Sequence, residues 1–495
     1  MRKLTLVAAA SLALSGCVVG PDYKHPTTPA AATGALLEAA RAQSAANAAS
    51  LPDHWWQLYQ DPVLDRLIQE ALAHNTDIRE AAANLTRARA VLSEQKGARL
   101  PSTDLSASYN RQQANSASAA AFGGGAAGNP QTFQFDLFKL GFDVSYELDL
   151  FGGVTRAIEA GRGDVEASAA QLDAARVSVA AETASAYVTA CSNAAQLAVA
   201  RETVDLQQKT MGLTRTLFDA GRGTRRDVER ADVLLAQTQA QLPGFEAERR
   251  AALYALATLT GRPPAEIDGD AANCTRPPQL STVIPAGDGA ALLARRPDVR
   301  AAERTLAADT ARIGIAVADL YPSITLAGGI GLNATRGSQL LKSSSVNYSV
   351  GPLISWSLPN QTIARARIRQ ARAGAEASLA RFDGTVLTAL RETEQALARY
   401  AGALDRQSAL ARAETSSSEA ARLSRLRFDN GADSFLQLID AERDRATARA
   451  ARAQADAAVA DAQISLFKAL GGGWQDAPFP IRRADKADEK TVPTP

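Results

Sequence analysis

The sequence predicts a mainly α-helical chain with a smaller membrane β-barrel portion, in which one structural unit occurs twice. Three observations lead to this prediction. Residues 138–150 alternate apolar and polar side chains, residues 155–220 repeat apolar side chains every seven positions without a proline, and both stretches recur 210 residues later. The chain should therefore contain four strands and two long helical hairpins.

The stretch from Phe138 to Leu150 is predicted to be a β-strand, because its even positions are apolar and its odd positions are polar or glycine. A tilted strand needs about 9–11 residues to cross a membrane, with its apolar face toward lipid and its polar face toward the lumen. A strand of a soluble sandwich shows the same alternation, so this stretch alone does not decide between the two. Three further strands are predicted at Thr103 to Asn110, Ile324 to Leu332 and Val346 to Leu358.

A long helix is predicted from Thr155 to about Ala220, with a coiled-coil seam formed by Ile158, Val165, Leu172, Val179 and Ala186. At about 1.5 Å per residue this helix would be roughly 100 Å long, far more than a bilayer core of about 30 Å. Its many charged residues also exclude it from lipid. Gly221 and Gly223 predict a turn, and one return helix is expected to carry Val228, Leu235, Leu242 and Leu256 before it ends at Gly261.

The repeat is recognised from identities at a constant offset, such as Phe218 with Phe428, Gly221 with Gly431 and Gly261 with Gly471. Upstream of the strands the offset is 221 residues, as for Asp77 and Asp298. The first copy therefore carries eleven additional residues between its two strands. The stretch NSASAAAFGGGAAGNP, with its small residues, is the expected exposed loop.

The first residues have the pattern of a secretory signal, because a positive start, Met1-Arg2-Lys3, precedes the apolar run from Leu4 to Leu14. The ending Leu14-Ser15-Gly16-Cys17 resembles the bacterial lipoprotein signal, which implies cleavage before Cys17 and its acylation, for example with palmitate. The alternative is an ordinary signal peptide with an incidental cysteine. Val18 after the cysteine resembles the pattern that is sorted to the outer membrane.

Two other cysteines, Cys191 and Cys274, are candidates for a disulfide, because exported chains meet an oxidising compartment. Two buried free thiols are the alternative. The formal net charge of +1 gives no broad basic surface, so nucleic acid is not an expected partner.

The predicted organisation has six parts. These are a signal peptide at 1–16, an acylated tether and equatorial region at 17–75, repeat 1 at 76–262, a linker at 263–290, repeat 2 at 291–472 and a C-terminal tail at 473–495. An amphipathic helix is expected around Leu64, Leu67, Ile68 and Leu72.

Geometry predicts that the chain assembles with copies of itself. Four strands leave two open edges, which lipid cannot satisfy with hydrogen bonds, and closed membrane barrels need at least about eight strands. A dimer would supply eight strands and a trimer twelve. The long helices also need neighbours for their seams, so we expect a continuous duct.

Several motifs resemble the outer membrane factors of tripartite efflux systems, in particular the acylated OprM/NodT type related to TolC. The motifs are WWQLYQDPVLDRLIQEALAHN, DIREAAANL, RRPDVRAAE, LFDAG, RFDNG with LQLIDAERD, and FKALGGGW. The resemblance implies a TolC-like homotrimer with a twelve-stranded barrel and a long α-helical barrel, anchored in outer membrane lipid and extending into the periplasm. It implies docking to a periplasmic adaptor that joins an inner-membrane pump, and passive export of drugs, solvents or other small compounds. Alternatives are a duct for type I protein secretion and a coiled-coil structural lipoprotein that forms no channel.

The resemblance also implies functional positions. Leu436, Gln437 and Asp440 match the periplasmic gate, although Asp440 is equally suited to stabilising the start of a helix. The tips of the two hairpins are implied to dock the adaptor; their residues are Arg222, Arg225, Arg226, Asp227, Arg427, Asp429, Gly431 and Asp433. For these tips the alternative is that Phe218 and Phe428 only secure the helix ends.

The sequence does not support an enzyme. Its three histidines are widely separated, and it contains no HExxH or CxxC motif. Gly123, Gly125 and Gly128 match GxGxxG, but they precede a predicted strand instead of opening a helix, so a dinucleotide site is not expected. No catalytic residue, cofactor or metal site is predicted.

Overall fold

The computed structural model describes residues 18–27, 29–41, 46–47, 49–115, 132–280, 282–357 and 361–481. Its helices are α1 (Ala30–Thr33), α2 (Leu37–Arg41), α3 (Pro62–His74), α4 (Thr76–Gly97), α5 (Gly153–Asp219), α6 (Arg225–Gln239), α7 (Leu242–Leu259), α8 (Gly269–Ala272), α9 (Gly289–Arg295), α10 (Pro297–Ala318), α11 (Gln361–Asp429) and α12 (Phe435–Leu470). Its strands are β1 (Ala46–Asn47), β2 (Ser102–Asn115), β3 (Thr132–Leu148), β4 (Ile284–Pro285), β5 (Ser323–Ala334) and β6 (Val346–Ser355). Short 3-10 helices lie at Trp55–Tyr59, Gly337–Gln339 and Ser343–Ser345. In the described ranges no helix is both long enough and apolar enough to cross a membrane.

The chain divides into two compact units, and each takes residues from both repeats. Among the described residues, unit 1 contains those up to His25 with those of Arg87–Glu166 and Glu303–Ala380. Unit 2 contains the described residues of Pro26–Thr86 and Ala167–Ala302 and those from Arg381 onward. Unit 1 therefore holds the large sheet, and unit 2 holds the turns between the long helices.

The large sheet of unit 1 is antiparallel and has the strand order β2-β3-β5-β6. Among the described residues β2 and β6 each pair on one side only. The register aligns four apolar side chains across the sheet, in the order Leu105, Phe142, Ile330 and Tyr348. Their exposed fractions are 74%, 44%, 57% and 81%, so this face is not covered by another part of the described chain. In a soluble sandwich such a row would pack against a second sheet; exposed on one face, it is suited to lipid.

Strand β3 ends at Leu148, two residues before the predicted end at Leu150. The reason is Asp149, whose carboxylate accepts hydrogen bonds from the backbone N–H groups of Val154 (3.0 Å) and Thr155 (2.8 Å). These groups belong to the first turn of α5, where N–H groups lack partners within the helix. Asp149 therefore acts at the start of a helix and not as a strand residue. Leu358, the expected end of the fourth strand, and residues 116–130 of the expected loop lie outside the described residues.

The return helix of repeat 1 was predicted as one element, but the structure divides it into α6 and α7. Pro243 lies in the first turn of α7, and proline has no N–H to donate and clashes with the preceding turn. The equivalent position of repeat 2 is Ala453, and there α12 is a continuous helix of 36 residues. The difference between the repeats follows from this one substitution.

The core of unit 2 includes the 3-10 helix that precedes α3. The rings of Trp55 and Phe467 stack with their centroids 4.6 Å apart, and both side chains are buried. The predicted amphipathic helix is α3, and its residues Leu64, Leu67, Ile68 and Leu72 are all buried. Trp56 donates a hydrogen bond to Asp65 of α3 at 2.8 Å. Residues about 400 positions apart therefore form one apolar centre.

Cys191 of α5 and Cys274, just after α8, form a disulfide with their Cα atoms 5.2 Å apart. Beside it, Arg66 of α3 donates a hydrogen bond to Asp268, the residue that caps α8, at 2.7 Å. The hydrogen bond from Arg66 lowers the pKa of Asp268 to about 2, so this carboxylate stays ionised. The segment after α7 is thus fixed both covalently and by an ion pair.

Candidate functional site: the two hairpin tips

The first tip joins α5 to α6 in unit 2. Gly221 has a φ of +72°, and the N–H groups of Gly221 and Arg222 donate to the carbonyls of Phe218 (2.9 Å) and Leu217 (2.8 Å). This is the Schellman arrangement, which satisfies the last carbonyls of a helix and needs a left-handed residue. Thr224 then caps α6 in a capping box with Asp227. Glycine and threonine together reverse the chain in five residues.

The second tip joins α11 to α12 and uses the same backbone arrangement. Gly431 has a φ of +75°, and the N–H groups of Gly431 and Ala432 donate to the carbonyls of Phe428 (2.9 Å) and Arg427 (2.8 Å). Ser434 caps α12 in a capping box. The predicted turns at the two glycines are therefore present, and they are structurally equivalent.

Gln437 was predicted as part of the gate, and the structure gives its side chain a local role. It is the third residue of α12 and forms the capping box with Ser434. Its Oε1 accepts a hydrogen bond from the N–H of Ser434 at 2.7 Å. Its equivalent in repeat 1 is Asp227, which accepts from the N–H of Thr224 at 3.1 Å. Both residues therefore stabilise the start of a helix.

Leu436 and Asp440, the other predicted gate residues, lie four positions apart on α12 and so share one face of the helix. Leu436 is 47% exposed. The Asp440 side chain is half exposed, and its carboxylate lies 3.7 Å from the guanidinium of Arg443. An apolar and an acidic side chain are thus presented together, one turn apart, beside the second tip.

The tips differ in what their side chains contact. At the second tip Arg427 pairs with Asp433 at 2.8 Å, and the rings of Phe428 and Phe435 lie 5.9 Å apart. The equivalent positions at the first tip are Leu217, Gly223, Phe218 and Arg225. The second tip is therefore held together by an ion pair and a ring contact that the first tip cannot form.

The first tip instead presents exposed arginines. Arg222, Arg226 and Arg230 are all exposed, and within the described part of the chain none of them forms an ion pair. Among the described residues Arg225 pairs with Glu229 at 3.4 Å. A hydrogen bond from the Thr224 hydroxyl and the nearby charges of Arg226 and Arg230 lower the pKa of Asp227, so this carboxylate is ionised.

A buried carboxylate near the second tip was missed by the sequence analysis. Glu442 is 1% exposed and lies between Arg425 of α11 (3.0 Å) and Arg445 of α12 (2.9 Å). It joins the two helices of the hairpin less than four turns above the tip. Arg425 lies six residues before Gly431 and Glu442 eleven residues after it, so opposite charges on the two arms of one hairpin were the signal that could have found it.

The family model described as outer membrane efflux protein matches residues 67–262 and 290–472, which correspond to the two repeats. The chain belongs to the outer membrane efflux protein family. The predictions of the family and of a TolC-like fold are thereby confirmed.

Relatives and solved structures agree with this assignment over nearly the whole chain. The outer membrane protein OprJ of Pseudomonas aeruginosa is 30% identical over 96% of this chain and 98% of its own length. The toluene efflux pump outer membrane protein TtgC of Pseudomonas putida is 28% identical over 96% of both chains. The structure of the outer-membrane channel OprN is 36% identical, with a TM-score of 0.85 over 93% of this chain and 100% of that chain.

The protein is accordingly an outer membrane channel of a tripartite efflux system. Members of this family are channels and not enzymes. The two hairpin tips of unit 2 carry the residues that the sequence analysis predicted for closure and for docking.

Proposed function

We propose that this efflux protein works as an acylated homotrimer, whose sheets close into a twelve-stranded barrel in the outer membrane and whose helical hairpins receive cargo in the periplasm. The observation that carries the proposal is the exposed apolar row of Leu105, Phe142, Ile330 and Tyr348, bounded by two strands that each pair on one side. Lipid cannot pair with open strand edges, so copies of the same sheet must supply the partners.

Leu436 and Asp440 are proposed as the residues that narrow the periplasmic opening. Both are exposed on one face of α12, so neither is required by the core of its own chain. In a threefold assembly each would form a ring, and three carboxylates facing one opening would concentrate negative potential there and favour cations. Gln437 is proposed for the same gate, and its Oε1 also accepts a hydrogen bond in the capping box.

The tips are proposed to dock a periplasmic adaptor, and the first tip would supply the charge. Arg226 and Arg230 are like charges one turn apart, which disfavours a helix by about 0.2–0.5 kcal/mol. Arg225 and Arg226 also place cations in the first turn of α6, where the helix dipole favours anions. Residues that oppose the stability of their own helix are expected where a binding function requires them.

At the second tip, by contrast, the proposed docking surface is smaller than the sequence alone implied. Asp433 is engaged by Arg427, and Gly431 is needed for the turn. Asp429 is exposed and remains available to a partner.

The cargo is proposed to be small organic compounds, drugs or solvents, delivered through the adaptor by an inner-membrane pump. Support comes from the similarity to the toluene efflux pump outer membrane protein TtgC over 96% of both chains. The alternative from the sequence, a duct for type I protein secretion, is separated from this proposal by experiment.

Two experiments test the proposal, one on the purified protein and one on cells that lack its gene. The detergent-purified protein should be a trimer that forms cation-selective channels in planar bilayers, and deletion of its gene should sensitise cells to drugs or solvents. A stable monomer without conductance would exclude the channel. Normal drug and solvent tolerance together with a block in export of a protein would instead favour the type I secretion duct.

A further inference from the structure

Three exposed arginines lie in the first four turns of α11, the helix that follows the last strand of the large sheet. They are Arg365, Arg369 and Arg372, and they are referred to below as the arginine stripe. Their spacing of four and three residues places them on one face of the helix. All three belong to unit 1, which also holds the sheet. Unit 1 therefore carries a concentrated positive charge close to the end of the sheet.

No carboxylate of the described chain neutralises the arginine stripe. Arg365 donates a hydrogen bond to the side-chain oxygen of Gln361 at 3.3 Å, and none of the three arginines forms an ion pair with a described residue. By contrast, Arg367 of the same helix pairs with Asp319 at 3.2 Å. Like charges three and four residues apart disfavour a helix. An anion from outside the chain would therefore stabilise the start of α11.

The arginine stripe lies on the side of α11 that is turned away from the polar face of the sheet. A recess at the base of the sheet is lined by the strand residues Glu147, Ser323 and Ser355. Each of them is an odd number of positions from the residue that its strand gives to the exposed apolar row, so all three belong to the opposite face. Ile363 and Arg367 of α11 line the same recess. At 3.6 residues per turn the stripe is about half a turn around the helix from these two, and so on the side of the apolar row.

Trp356 marks the end of the apolar face, one residue after β6. Its side chain is 51% exposed, and its Nε1 donates a hydrogen bond to the carbonyl of Leu320 at 3.2 Å. An exposed tryptophan with an apolar body and a satisfied N–H is typical of the boundary between hydrocarbon and headgroups. Side chains of a helix lean toward its N-terminus, which in α11 is the end next to the sheet. The long side chains of the stripe therefore extend back toward the headgroup layer.

The repeat shows that the fold does not require these arginines. The equivalent positions of α5 are Thr155, Glu159 and Arg162, whose charges sum to zero. Like α11, α5 begins shortly after a strand of the same sheet. A neutral set is thus sufficient for a helix in this place, and the three positive charges of the second repeat serve a purpose other than folding.

We propose that the arginine stripe binds the headgroups of anionic phospholipids in the periplasmic leaflet of the outer membrane, of which phosphatidylglycerol is the simplest. The proposal rests on the proposed function, because it needs the sheet to lie in the membrane with its helices on the periplasmic side. Guanidinium groups form bidentate, charge-assisted hydrogen bonds with phosphate, and basic residues close to an anionic surface are attracted to it. Anionic lipid would then be enriched around the channel at this level.

The test uses the full-length protein in phospholipid vesicles, with the fluorescence of Trp356 as the reporter. Lipids with brominated acyl chains quench a tryptophan that they touch, so brominated phosphatidylglycerol and brominated phosphatidylcholine can be compared directly. The wild type should prefer phosphatidylglycerol by about fivefold or more at low salt, and less at high salt because the charges are then screened. The other three tryptophans belong to unit 2, and Trp356→Phe should remove the quenching.

The decisive variant replaces the whole arginine stripe by glutamine: Arg365→Gln, Arg369→Gln and Arg372→Gln. Its preference for phosphatidylglycerol should fall to about one. The matched control removes the same charge from exposed positions of α11 that belong to unit 2: Arg391→Gln, Arg406→Gln and Arg412→Gln. The control should keep the wild-type preference. A wild-type preference in the stripe variant would overturn the proposal.

Three further outcomes would also contradict the proposal. If the stripe variant alone lost its oligomer in detergent without lipid, the arginines would belong to the contact between copies of the chain. If inorganic phosphate abolished the preference and chloride of equal ionic strength did not, the stripe would bind free phosphate. If the wild type conducted ions normally but showed no preference, the lipid site would be wrong and the channel unaffected. Absence of quenching by either lipid would instead contradict the proposed membrane sheet, and the lipid site with it.

Discussion

The two hairpin tips share one backbone and differ in their surfaces. Each reverses the chain with a glycine at positive φ and restarts a helix with a capping box. At the first tip Arg222, Arg226 and Arg230 form no ion pair with any described residue. The second tip instead has the ion pair of Arg427 with Asp433 and carries Leu436 and Asp440 beside it. Because a few backbone contacts suffice for the turn, the remaining side chains were free to diverge. This difference suggests a division of labour between docking and closure.

The largest effect should come from the buried carboxylate of the second hairpin. Glu442→Ala removes the carboxylate that joins Arg425 to Arg445, and because both guanidinium groups are partly exposed the loss of local stability should be about 2 kcal/mol. Hydrogen exchange of the amides in α11 and α12 near the tip measures this loss. The control is Asp232→Ala, the exposed equivalent in repeat 1, and equal effects of the two variants would remove this distinction between the hairpins.

Closure is tested with the double variant Leu436→Ala and Asp440→Ala. If the second tip forms the gate, removing the apolar and acidic side chains should raise single-channel conductance severalfold and reduce cation selectivity. Large antibiotics such as vancomycin should also enter cells more easily. The matched control changes the equivalent positions of the first tip, Arg226→Ala and Arg230→Ala. A gate assigned to α12 would be wrong if both double variants conducted like the wild type.

Docking is tested with the triple variant of the first tip, Arg222→Gln, Arg226→Gln and Arg230→Gln. Affinity for the cognate adaptor should fall about tenfold and become less dependent on salt, because exposed charges act mainly through screened attraction. The hairpin itself should not be destabilised, since like charges are removed. Surface plasmon resonance at two salt concentrations measures both changes.

Arg201→Gln, an exposed arginine on α5 in unit 2, is the control for this experiment and should bind the adaptor normally. Unchanged affinity of the triple variant would assign the arginines of the first tip to solvent and leave docking to the second tip.

The smallest expected effect is a difference between the two capping boxes in how the stability of the helix start depends on pH. The pKa of Asp227 is lowered in the folded protein, so its contribution is present above the unfolded value of about 3.9 and is lost as pH falls through the lower folded value. Gln437, its equivalent, does not titrate. Below about pH 4 the start of α6 should therefore fray, by at most the ~1 kcal/mol of an N-terminal cap, while the start of α12 is unaffected. Amide exchange at the two helix starts between pH 3 and pH 5 measures the difference, and Asp227→Asn should abolish it.

The sequence by itself determined the elements and their order. Alternation predicted the strands, the seven-residue period predicted the long helices, and glycine predicted both turns, because each signal depends on neighbours within a few residues. The constant offset also identified the repeat, which the family match confirms. Pro243 was visible too, yet its power to interrupt the return helix was underestimated.

Only the tertiary structure decided which charged side chains are exposed and which are buried. Arg156, Glu303 and Glu442 look like ordinary helical charges in the sequence, but their partners lie on other segments of the chain. Conversely, Asp149 was assigned to a strand face and instead accepts hydrogen bonds at the start of α5. Gln437, predicted in the gate, also accepts a hydrogen bond at the start of α12. The physical reason is that a charge is stabilised in the interior by the sum of its contacts, and those contacts exist only once distant helices have packed.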